Sequence, residues 1–245
     1  MSNKRNREKV QQRKEEKKSK QVRVPTEKFE RLTLEPVKGV NAKQREFLKA
    51  LKTHQVIVFN APAGCGKSFL SMSEVSDWYK RCDIESIVIS RPAVGMGKSI
   101  GLLPGTLVEK MSVFIAPLIQ VVTERYGVGF YENSLSKGII EIVPMEHMRG
   151  RNIEGVAIVD EVQGCTPDEI YTMITRIADG GKLILLGDPT QTDIKGENAM
   201  QWLPKFVKDN PELAEHIAVV EATSDDIVRS GLCKLMVKAK ERTKK

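Results

Sequence analysis

Eight residues constrain this chain more than any other part of it: Ala61, Pro62, Ala63, Gly64, Cys65, Gly66, Lys67 and Ser68. A short run rich in β-branched residues, 55–59, leads directly into them, and a helical stretch, 67–81, opens from their end. A Gly-rich turn between a strand and a helix points backbone N–H groups at one spot, where they cradle phosphate oxygens. In such a loop the backbone around Ala63, Gly64, Cys65, Gly66, Lys67, Ser68 and Phe69 would bind the phosphates of ATP. Lys67 would reach the β and γ phosphates and Ser68 would hold Mg²⁺. One position departs from the usual pattern, Ala61 in place of the first Gly. An Ala forced to positive φ would cost about 1–2 kcal/mol.

The strand–turn–helix unit is the first of a series. A helix capped by Asn41, with Gln44 in the matching position and Phe47, Leu48 and Leu51 as its apolar face, is expected to end near His54. Further strands are expected at 86–90, 139–143, 156–159, 183–186 and 217–220, each short and mostly apolar, as in strands covered on both faces. Between them the pattern predicts one amphipathic helix running to about Glu124, and a helix capped by Thr166 with Pro167 and Glu169. Ser224 with Asp225 and Asp226 reads as the start of a last helix. The alternation predicts an α/β fold with a mostly parallel sheet and helices on both faces.

Two further segments carry chemistry. The strand at 156–159 ends in Asp160 and Glu161, the acidic pair that a phosphate loop needs at the carboxyl end of a neighbouring strand. Asp160 would help hold Mg²⁺, directly or through its water shell, and Glu161 could orient or activate the attacking water. After the strand at 183–186 come Gly187, Asp188, Pro189, Thr190 and Gln191. Gln191 is uncharged yet able to bond both a γ-phosphate and a water, which suits a sensor of hydrolysis. Gln44 has two readings, recognition of the adenine edge or simple helix capping.

Of 39 Lys and Arg residues, ten fall within residues 1–24, against Glu8, Glu15 and Glu16 there; the remaining chain balances 29 basic with 29 acidic residues. Such a tail should be disordered or a loose charged helix in isolation; it is either a solubilising arm or one that neutralises nucleic-acid phosphates. The N-terminus lacks the apolar core of a signal peptide, and no apolar run approaches the ~20 residues of a membrane span, so a cytoplasmic protein without a membrane partner is expected. Cys65, Cys82, Cys165 and Cys233 are scattered, with no C-x-x-C pair, which fits a reducing compartment. Phe130 and Tyr131 could stack on bases or pack in the core.

Taken together these segments resemble the PhoH-like family of P-loop ATPases, which is similar to the ATPase core of superfamily 1 helicases. The resemblance rests on 61–68, on Ser90 to Val94 with Gly101 to Gly105, and on Met148 to Arg151. It continues through Asp160 to Gln163, Thr175 to Ile177, Gly187 to Gln191 and Asp226 to Arg229. Ala61, Lys98, Val162 and Gly164 depart from it. After the basic tail and linker of 1–38 it implies an ATPase domain over 39–245 with a RecA-like three-layer sandwich, and ATP hydrolysis coupled to single-stranded RNA or DNA; the alternative is a nucleotide-gated binding or scaffold protein with slow or no turnover. It also implies a homo-oligomer, possibly a ring, in which Arg149, Arg151, Arg176 or Arg229 would contact the γ-phosphate within one subunit or across an interface, if not engaged in structural salt bridges. One such core is expected to leave no room in these 245 residues for a second RecA-like domain, so strand separation would need a multimer.

Overall fold

The structure, a computed structural model, describes residues 35–92, 107–191 and 194–243. The basic tail, most of the linker, and the family segments at 93–94 and 101–105 with Lys98 lie outside the described residues. The unit Pro36–Lys245 holds the fold.

Its described elements are α1 (Ala42–Thr53), β1 (Val56–Asn60), α2 (Lys67–Lys80), β2 (Ile87–Arg91), α3 (Leu107–Phe114), α4 (Ala116–Tyr126) and α5 (Val128–Ser136). There follow β3 (Ile140–Pro144), α6 (Met145–Met148), β4 (Val156–Val159), α7 (Pro167–Ile174), β5 (Lys182–Gly187), α8 (Ala199–Asp209), β6 (Ile217–Glu221) and α9 (Gly231–Thr243). The strands form one parallel sheet in the order β3-β2-β4-β5-β1-β6.

Because side chains alternate along a strand, each strand feeds two cores. Ile57 and Phe59 of β1, with Ile89, Ile158, Ile184 and Leu186, pack under α1, α2 and α4. Val56 and Val58, with Ala157, Val159, Leu183 and Leu185, pack under α6, α7 and α8. This is the three-layer α/β sandwich read from the sequence. On the first face Phe47 of α1 stacks on Phe59 with ring centroids 4.4 Å apart. Among the described residues no helix is long and apolar enough to cross a membrane.

Four local expectations need correction or addition. The single helix expected up to Glu124 is two, broken at Ile115, because Pro117 in the first turn of α4 has no N–H to continue the ladder. Ser224 to Asp226 form a short 3₁₀ turn capped by Thr223, and the last helix starts only at Gly231. Helix α5 occupies a stretch the motifs left blank, and there Phe130 packs against Tyr126 and Tyr79, at 4.9 and 5.9 Å, with Tyr131 also against the core. Helix α8 was also unread, since Pro204 lies inside it; its start is fixed by a capping box between Asn198 and Gln201.

Phe47→Ala should lower unfolding stability by about 3–5 kcal/mol, seen as a fall in the urea midpoint, because a fully buried stacked ring leaves a cavity. Leu235→Ala, on the exposed face of α9, should change it by no more than about 0.5 kcal/mol.

Candidate functional site

Parallel strands all end on one edge, and the loops that leave β1, β4 and β5 there bring three sequence motifs together. The loop after β1 is bound to β5 through Ala61 N–H and the Gly187 carbonyl, at 3.0 Å. Ala61 itself is fully buried and is not among the residues with positive φ, so the first-position Ala carries no backbone strain. The left-handed positions of the loop are Gly64 (φ +90°) and Gly66 (φ +86°), where a side chain would be strained. Lys67 folds back, its Nζ donating to the carbonyls of Ala61 at 2.5 Å and Pro62 at 3.1 Å. Ser68 and Phe69 stand in the first turn of α2, Phe69 exposed.

Elements from both ends of the chain brace this loop. Gln44 is buried, accepts from Val40 N–H at 2.8 Å and donates to the Cys65 carbonyl at 3.0 Å, so its amide faces the loop backbone. Asn41 caps α1 as expected and also donates to the Asp226 carbonyl at 2.9 Å. Val228 N–H donates to the Gly64 carbonyl at 3.0 Å, and a Cβ placed on Gly64 would lie 3.0 Å from Cβ of Arg229 and 3.2 Å from Sγ of Cys233. Arg229 therefore stands against the phosphate loop, with its side chain exposed. Burial pushes the Cys65 thiol up to about 11, against the opposing pull of Lys67, so it is a neutral packing group at physiological pH.

Asp160 and Glu161 do not sit on the strand next to the loop: β5 lies between β4 and β1. Asp160 is buried, and its carboxyl is pushed up from the ordinary 3.8, first by burial and then by the adjacent Glu161 charge, with Arg91 and Lys67 acting against both. Glu161 adopts φ +58°, a left-handed conformation costly for a side-chain-bearing residue, and its N–H bonds Asp160 Oδ1 at 3.1 Å. The third motif is wired to the second. The Gln163 side chain donates to Glu161 Oε2 and accepts from Asp188 N–H at 3.1 Å. Asp188, buried, accepts from Gln191 Nε2 at 2.8 Å and from Thr190.

The remaining arginines are placed elsewhere. Arg149 pairs with Glu169 at 3.0 Å and Arg151 with Glu141 at 2.8 Å, the salt-bridge alternative for each. Arg176 follows α7, and its carbonyl accepts from Ile153 N–H ahead of β4, which puts it at the opposite edge of the sheet from the phosphate loop. Gln163, Asp188 and Arg91 are given no role by the motif pattern, although each is a polar residue lying at or within a few residues of the end of an apolar strand, the available signal.

Among the described residues no cluster of three or more His, Cys, Asp or Glu side chains forms a cation cage. The Ser68 hydroxyl and the buried Asp160 carboxylate still fit Mg²⁺, which takes few protein ligands and completes its shell with water and phosphate oxygens.

Residues 36–241 match the family model described as PhoH-like protein. The chain belongs to the PhoH-like family. It is 33% identical over 207 residues to a PhoH-like protein of Bacillus subtilis, covering 81% of this chain and 62% of that one. It is 32% identical over 204 residues to Protein PhoH of Escherichia coli K12, covering 81% and 56%. The chain thus spans about three fifths of the length of these curated relatives. In fold it is similar to the large terminase of bacteriophage HK97, with a TM-score of 0.50 at 15% identity, over 86% of this chain and 48% of that one. The fold is that of the P-loop ATPases.

Above 3.8, an ionised Asp160 costs the folded state free energy that the unfolded chain does not bear, because its folded pKa is raised. Asp160→Asn should therefore raise the melting temperature of the nucleotide-free protein at neutral pH. That gain should shrink as the pH falls through the folded pKa toward 3.8; a melt series across this range checks it.

Proposed function

We propose that this protein binds ATP and hydrolyses it by attack of water on the γ-phosphorus, and that single-stranded RNA or DNA modulates the rate. The observation that supports this best is the joining of Glu161 to the Asp188–Gln191 loop through Gln163, at the edge where Lys67 and Gly64 also stand. Lys67 already donates two bonds to oxygens at the mouth of the loop, and phosphate oxygens would replace those carbonyls. Ser68 and Asp160 would hold Mg²⁺, which would supply charge neutralisation at the phosphates. Glu161 orients the water and accepts its proton; Gln191 hydrogen-bonds the γ-phosphate and, through Asp188 and Gln163, reports its loss to Glu161.

Arg229, against the loop, would contact the γ-phosphate of its own subunit. Arg176, on the far edge, can serve only a neighbouring copy, so a role for it implies a homo-oligomer. Nucleic acid as partner is supported by the charge of residues 1–24. Glu161→Gln should leave ATP affinity nearly unchanged and lower kcat by about 10²–10⁴-fold, measured with and without single-stranded RNA or DNA at low salt. Binding without turnover in the wild type would leave a nucleotide-gated scaffold instead, and a rate indifferent to nucleic acid would remove the coupling.

A further inference from the structure

Arg91 closes β2, the strand beside β4, so its side chain leaves the sheet next to the Asp160–Glu161 turn. Its Nη1 donates to the Phe114 carbonyl at 2.7 Å, and its Nη2 lies 3.8 Å from Oε1 of Glu161. The carbonyl is available because the helix breaks there. In a continuous helix Leu118 N–H would be its partner, but that N–H donates to the Ile115 carbonyl at 2.9 Å. The end of α3 therefore offers a bare acceptor, and a guanidinium, planar and forked, can meet it and a carboxylate at once, which an ammonium cannot do with the same geometry. The Arg91 side chain is three-quarters covered while that of Glu161 is 42% exposed, so the anchored partner is the arginine. The second oxygen of Glu161 takes the amide of Gln163.

We propose that Arg91 is a positioning residue for Glu161: braced on the end of α3, it holds one carboxylate oxygen while Gln163 holds the other. Together they fix the direction from which Glu161 meets the attacking water. The left-handed backbone at Glu161 points its side chain into this clamp, and the clamp in turn helps to hold a conformation that costs free energy. A displacement of the last turn of α3 moves Arg91 and with it the carboxylate, so α3 becomes a lever on the reaction. This role rests on the hydrolysis reading above.

The test compares the full chain as wild type, Arg91→Ala, Arg91→Lys, Glu161→Gln and the Arg91→Ala/Glu161→Gln double variant. It reads steady-state ATP hydrolysis, melting temperature, and equilibrium binding of ADP alone and of ADP with aluminium fluoride, which mimics the transferred phosphoryl group. Arg91→Ala should lower kcat about tenfold, in line with the loss of outer partners of functional ligands. KM and ADP affinity should stay within about twofold, while affinity for ADP with aluminium fluoride falls with kcat. In the Glu161→Gln background Arg91→Ala should cost nothing more. Arg91→Lys, which keeps the charge and most of the packing, should also be slow, so the claim stands on it if the Ala variant melts out.

An equal loss in both backgrounds, a parallel loss of ADP affinity, a Lys variant with wild-type kcat, or a rise in kcat would each overturn the proposal. A wild type that fails to hydrolyse ATP removes the reaction and this role with it. Any of the four overturning results in a hydrolysing wild type removes the role alone.

Discussion

Parallel pairing of β1 with β5 on one side and β6 on the other governs the rest of this molecule. Parallel strands must be joined by crossovers, the crossovers lay helices on both faces, and all strand ends with the same polarity collect at one edge. The phosphate loop, the acidic pair and the sensor loop meet for that reason. With β5 between them, β1 and β4 stand two strand spacings apart, about 10 Å.

Two irregular helices supply polar anchors to this edge. Pro204 inside α8 has no N–H to give the Met200 carbonyl, and Asn60, the last residue of β1, donates to it at 3.0 Å. The break after α3 leaves the Phe114 carbonyl bare, and Arg91, the last residue of β2, donates to that at 2.7 Å. In both cases a helix that fails to close its own ladder gives a strand-end side chain a fixed partner, which sets the start of a functional loop. Buried carbonyls without partners would cost of order 1–3 kcal/mol each, so these pairings are part of the stability of the fold as well as its geometry.

The sandwich was legible because short apolar runs separated by turn chemistry specify doubly covered strands, and β4 was placed with its observed bounds. The phosphate loop, Asp160, Glu161 and Gln191 were legible as motifs whose residue types each carry a chemical reason. Distance across the sheet was not, since strand order depends on crossovers that no local pattern encodes; hence the acidic pair was expected one strand too close. Helix α8 was hidden by Pro204, whose penalty is offset by tertiary packing of Met200 and Leu203 and by the Asn60 bond. The positions of Arg229 and Arg176 on opposite edges, likewise, follow from which end of the sheet each connection reaches.

The strand that carries the phosphate loop is an early one whose two neighbours come late, β5 from residue 182 and β6 from residue 217. Contacts that distant in sequence form slowly, after their closure entropy has been overcome. During synthesis the loop leaves the ribosome long before the strands that align it and before Val228, whose N–H fastens Gly64. A nascent chain thus carries the loop as a bare motif until β5, β6 and Val228 have followed it. The shape of this loop is therefore a late product of the fold, set by contacts made far downstream of the residues that compose it.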